Sequence, residues 1–141
     1  MRLACVFCIT LAFVSSFKVS AGEICKTETD YLRYCEKSFF TLLVNPDASN
    51  GSRVLTTGYL VKEDGEGYVL YFDRERAKFS IRSESLALNI IDQTPADIAY
   101  FENNYVRVKG IFRNVSGKDR MRVGTIDVTL DIFFAPFTAE D

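Results

Sequence analysis

The side chains that could do chemistry are defined first by an absence, because the 141-residue chain contains no histidine. Ser-His-Asp and Cys-His nucleophile activation therefore fall away, as do the commonest zinc sites. Of the four cysteines, Cys5 and Cys8 lie in an apolar N-terminal segment, while Cys25 and Cys35 lie beyond it. In an oxidising compartment the latter pair is expected to form a disulfide closing a short loop. Loop entropy makes such a bridge worth about 2–3 kcal/mol. A catalytic thiol is the alternative, but the chain offers no imidazole to activate it.

Several other groupings bring charged or aromatic side chains together. Glu63-Asp64-Gly65-Glu66 gathers carboxylates but lacks the spacing of a calcium loop, so it reads as a solvated hairpin tip. Asp73, Arg74, Glu75 and Arg76 supply the residue types of a phosphate-ester hydrolase without a matching motif. A basic hairpin, Arg113, Lys118, Arg120 and Arg122 against Asp119, carries a local charge of +3, and the Lys62–Glu66 hairpin carries −2. These two loops either attract each other or bracket a polar ligand, with ordinary charged surface as the bland alternative. Tyr59, Tyr68 and Tyr71 are stacking platforms if exposed and core residues if not. Arg107, Lys109, Asp127 and Asp131 read as cross-strand pairs on an outer face. Asn50-Gly51-Ser52 and Asn114-Val115-Ser116 match glycosylation sequons, whose meaning depends on the source of the chain. No Gly-rich phosphate loop or dinucleotide fingerprint is present, and the sequence indicates neither a metal nor a cofactor.

Arg2 followed by the twelve-residue apolar run Leu3–Val14, then Ser15, Ser16 and Val19-Ser20-Ala21, has the order of a secretory signal. A spanning helix needs about twenty apolar residues, so this run is too short to anchor the chain. Neither Cys5 nor Cys8 has a lipid-attachment context. The expected organisation is a signal peptide over 1–21, a polar helical segment over 22–37, and one β domain over 38–141. Removing Arg2 and Lys18 leaves 15 basic against 19 acidic residues, a net charge of −4. That balance disfavours nucleic acid as a partner. A hydrophobic content of 48% is enough for one real core. The mature chain is expected to be soluble, periplasmic or secreted, with no transmembrane segment.

These groups must be positioned by a mainly β scaffold. Thr29 or Asp30 is placed to cap a short helix through Cys35, and Ser38 to cap a second over Phe39–Val44 that ends at Asn45-Pro46. Asn50-Gly51 marks a turn, after which the pattern takes a period of two. Strands are expected over Arg53–Lys62, Tyr68–Phe72, Leu86–Ile91, Tyr105–Arg113 and Gly124–Phe134. Asp73–Glu84 reads as a charged loop, and Thr94-Pro95 opens a short helix. Gly58 and Gly110 interrupt the first and fourth strands where a bulge or bend is needed. Three strands, a helix and two strands give a five-stranded OB-like barrel, with an open antiparallel sheet as the competing architecture.

Ser38–Pro46 followed by Asn50–Leu60 resembles the opening of a family of small uncharacterised bacterial exported proteins, S-x-x-x-L-x-x-N-P…G-x-x-V-x-x-x-G-Y-L. Asn104–Phe112 with Gly124–Ile126 is similar to that family's close. Ser49 stands where the family usually has tyrosine, and the tryptophan usual near the third strand is missing. The resemblance implies an OB-like barrel and a bacterial source, and no nameable activity. The expected function is a non-enzymatic exported binding module for an envelope protein or glycan. The binding residues would be Arg113, Lys118, Arg120, Arg122, Tyr59 and Tyr68. An inhibitor or immunity-type protein is the alternative, and a phosphate-ester hydrolase a distant third. An exposed apolar patch would favour a protein partner, a concave aromatic groove a glycan, and a carboxylate–arginine cleft an enzyme.

Overall fold

The computed structural model describes residues 24–28, 32–91, 95–115 and 121–136. The expected signal segment 1–21 lies outside them, as do Lys118 and Arg120. Seven strands form one sheet: β1 (Ile24–Glu28), β2 (Leu32–Glu36), β3 (Arg53–Glu63), β4 (Gly67–Tyr71), β5 (Ser85–Ile90), β6 (Tyr105–Asn114) and β7 (Gly124–Phe134). Their order is β1-β2-β3-β4-β5-β7-β6, and β6 returns to pair with β3. The last five strands thus close into a barrel, as the period-two pattern and the strand count lead one to expect. Within it β5 and β7 run parallel, and the other neighbours run antiparallel.

Closure depends on one long strand serving two partners. β3 pairs with β6 over Arg53–Tyr59 and with β4 over Tyr59–Glu63. Gly58 sits where the two pairings meet, and a Cβ there would lie 2.6 Å from Leu70 Cγ and 2.7 Å from the Tyr71 carbonyl. The register runs through Gly58 unbroken, so this glycine permits close approach rather than a bulge. Gly110 does mark a bulge, since the β6–β7 register shifts between Lys109 and Ile111. There a Cβ would collide with the Asp127 carbonyl oxygen.

Val106, Val108 and Phe112 of β6 point inward with Ile126, Val128 and Ile132 of β7, all at most 5% exposed. Leu60, Leu70 and Leu86 complete the barrel interior, where burying each such side chain stabilises by roughly 1.5–3 kcal/mol. Helix α1 (Phe39–Val44) is capped by the Ser38 hydroxyl, which accepts from the Thr41 N–H, and adds Phe39 and Leu42 to the core. Pro46 ends that helix and begins α2 (Pro46–Ser49) at a position where its missing N–H costs nothing. α4 (Pro95–Ala99) contributes Ile98 to the same core.

Two sequence expectations are corrected. The described residues of the 22–37 segment are not helical: β1 and β2 form an antiparallel pair with Cys25 opposite Cys35, the sulfurs at bonding distance of 2.12 Å. Tertiary pairing outweighs a helix cap here, because Cys35 and Glu36 also join β3 at Val54 and Leu55, and Tyr34 is buried. The Asp73–Glu84 segment is not a plain loop. Asp73 caps α3 (Arg74–Lys78) by accepting from the Arg76 N–H at 2.9 Å, and a 3-10 turn follows at Arg82–Glu84.

Candidate functional site

At one end of the barrel the acidic hairpin meets Arg122 of the basic group. Gly65 and Gly67, both in the left-handed region, turn the chain between β3 and β4 and present Glu63 and Glu66. Arg122, two residues before β7, reaches them. Its guanidinium donates to Glu63 at 2.7 Å, to Glu66, and to Ser85 Oγ at 2.6 Å. Arg82 joins from the 3-10 turn, 2.8 Å from Glu66 and 3.5 Å from Glu63, while the Tyr71 hydroxyl donates to Glu63. The hydrogen bond from Arg122 holds the Glu66 carboxyl below its ordinary range. Burial works against the Arg122 charge, but its bonds to Glu66 and Glu63 outweigh that and tighten its proton. Burial, reinforced by the bond to Glu63, pushes the Tyr71 phenol up.

This network corrects the sequence reading of Arg122 as a rim cation open to a partner. Its side chain is 4% exposed and its charge is spent on Glu63 and Glu66. Tyr68 is corrected as well: the ring faces the barrel core and its hydroxyl donates to Glu102 at 3.0 Å, so it offers no stacking face. Burial raises its phenol above the ordinary value. Arg113, grouped from sequence with the binding cations of the basic hairpin, is exposed but pairs across the strands with Asp127 at 3.1 Å. Arg107 finds Glu36 of β2 at 2.7 Å instead of a neighbour on its own hairpin. Of the hydrolase-like set, Asp73 and Arg76 are committed, Arg76 bridging Asp73 at 2.6 Å and Glu84 at 2.9 Å.

Tyr59 is different. It points outward from β3, half-buried, with its ring edge-to-face against Tyr105 at 5.3 Å. The Tyr105 hydroxyl accepts from the Arg74 N–H at 3.3 Å, which fixes the start of α3 beside this aromatic pair. The i, i+4 spacing of Arg74 and Lys78 puts both on one helix face. Together with Tyr59, Val61, Ala77 and Asn103 they line a cleft of about 240 Å³. Asn103 closes the turn into β6 in the left-handed conformation that asparagine tolerates, its N–H donating to the Leu60 carbonyl at 2.8 Å.

Among the described residues Arg74 pairs with no carboxylate, and the Lys78 ammonium sits only over the Phe79 ring, 5.5 Å from its centre. The lining holds two uncommitted cations, a tyrosine face and a carboxamide, and no carboxylate, hydroxymethyl or thiol group. It can pair an anion, stack a ring and exchange hydrogen bonds. Of the binding candidates named from sequence that lie among the described residues, only Tyr59 takes part. Arg74 had been placed in a different grouping, and Lys78 and Asn103 were missed. The signal for the two cations was their i, i+4 spacing behind Asp73, hidden by reading the segment as loop. Among the described residues no cluster of three or more acidic or cysteine side chains could hold a metal ion, and no helix is long and apolar enough to cross a membrane. No family model, curated protein or solved structure matches the chain.

Proposed function

We propose that this protein is an exported, non-enzymatic OB-like binding module that takes an anionic saccharide in the Tyr59 cleft. The observation that carries the reading is the pair of uncommitted cations, Arg74 and Lys78, on the same concavity as the Tyr59 ring. An aromatic ring packs against the apolar face of a sugar, the cations pair with its carboxylate, and the Asn103 carboxamide suits vicinal hydroxyls. A cleft of about 240 Å³ accepts one charged unit, whereas a protein partner would need about 800 Å² of surface on each side. On the rim that OB-folds commonly use for ligands, Glu63, Glu66 and Arg122 are paired with one another, which favours binding on the outer face of β3. Export is supported by the leader-like residues 1–21, by the Cys25–Cys35 bond and by the resemblance of the opening motif to exported bacterial proteins.

The test is calorimetric titration of the purified protein with tetragalacturonate and with its methyl ester, which lacks the charge. Tetragalacturonate binds more tightly, and the preference shrinks as salt rises. Arg74→Ser with Lys78→Ser weakens it about tenfold, as two partly exposed charge-assisted bonds imply. Tyr59→Ala weakens the acid and its ester alike. Equal binding of acid and ester, or variants that bind like the parent, overturns the reading.

A further inference from the structure

We infer, resting on the saccharide reading of the Tyr59 cleft, that its ligand is acidic on successive units of a chain. The protein then takes an oligouronate rather than a single acidic sugar. The cleft of about 240 Å³ holds one unit, and one uronate unit brings one carboxylate. Helix α3 nevertheless offers two cations to this cleft, Arg74 and Lys78. They lie one helical turn apart, a spacing that sets Cβ atoms about 5–6 Å from each other. A single carboxylate leaves one of them unmatched, and a carboxylate on the next unit pairs with it.

The surface that the next unit meets is in place. Phe79 follows Lys78 at the end of α3 and stands 65% exposed, with the Lys78 ammonium over its ring. The ring therefore adjoins the cleft on the Lys78 side. An isolated exposed phenylalanine is ordinary, but the backbone of this one is firmly held. The Phe79 N–H donates to the Glu75 carbonyl at 3.2 Å, Ser80 to Ala77 at 3.0 Å and Ile81 to Arg76 at 2.9 Å. Glycine normally completes such a helix end in the left-handed conformation, and here Ser80 takes it, with φ of 50°. A non-glycine residue there is strained, and strain of this kind clusters at functional surfaces. The apolar face of the second unit packs on Phe79 as that of the first packs on Tyr59, and the chain runs along α3 from Arg74 to Lys78.

The test is calorimetric titration of the purified protein with galacturonate and with digalacturonate. Digalacturonate binds about tenfold more tightly, roughly threefold from the second charge pair and roughly threefold from the Phe79 ring. Phe79→Ala leaves galacturonate binding unchanged, which shows the cleft intact, and weakens digalacturonate about threefold. Lys78→Ser narrows the advantage of digalacturonate by a like factor, because Arg74 still serves the unit beside Tyr59. Galacturonate binding as tightly as digalacturonate overturns the inference, and so does a Phe79→Ala variant that binds digalacturonate like the parent. Either result leaves the cleft reading standing while tetragalacturonate is preferred over its methyl ester. Loss of that preference overturns the reading and the inference together.

Discussion

Replacing Arg122 by methionine preserves much of the side-chain volume and removes the one cation buried at the hairpin end of the barrel. Glu63, whose side chain is 14% exposed, then keeps only Arg82 at 3.5 Å and the Tyr71 hydroxyl. Glu66 is 36% exposed and recovers water more easily. Removing one partner of a buried ion pair costs 3–5 kcal/mol, and the partial exposure of Glu66 argues for the lower end, about 3 kcal/mol. For one domain of this size that lowers the melting temperature by roughly 10–15 °C. Calorimetry or circular dichroism at pH 7 measures it. The variant Arg122→Met with Glu63→Gln removes charge and partner together, so it recovers about 2 kcal/mol of the loss by the logic of a double-mutant cycle. If Arg122→Met melts within about 3 °C of the parent, or the double variant melts lower than the single, the network is ornamental and the reasoning fails.

Three further outcomes follow from named contacts. Cys25→Ser lowers stability by about 2–3 kcal/mol, and the exported protein, without residues 1–21, takes up no alkylating agent when denatured without reductant; labelling of both Cys25 and Cys35 would remove the bridge. Glu66, held below its ordinary value of 4.5 chiefly by the Arg122 hydrogen bond, contributes stability that is present above that pH and is lost as acid titrates it in the folded state. Glu66→Gln therefore flattens the decline of melting temperature below pH 4.5, and an unaltered decline would count against the pairing. Gly58→Ala drives a methyl into Leu70 and the Tyr71 carbonyl, and costs about 1–3 kcal/mol by urea denaturation.

The barrel was legible because its signals are local and repeated. Tyr105–Arg113 alternates strictly, and the structure buries Val106, Val108 and Phe112 while Tyr105 and Arg113 stay exposed. Ser38, Asn45-Pro46 and Asn50-Gly51 punctuate the chain by backbone chemistry that needs no tertiary context. The β1–β2 hairpin was hidden because its order comes from partners distant in sequence: Cys35 and Glu36 pair with Val54 and Leu55, and Arg107 bonds Glu36. Arg122 looked like surface, since composition reveals a charge but not the two carboxylates folded over it from Glu63 and Glu66. Tyr68 and Tyr59 differ only in the face of the sheet they occupy. Strand parity around a bend decides that, and sequence fixes parity poorly where one strand changes partners.

The most direct test of the central claim is residue-resolved. In amide NMR spectra of the isotope-labelled protein, stepwise addition of tetragalacturonate should move the signals of Tyr59, Arg74, Lys78 and Asn103 together. They should trace one saturating curve, with the Glu63–Gly67 hairpin and Thr56 still. Shifts confined to that hairpin, or no saturable shifts at all, would contradict the assignment of this cleft as the binding site.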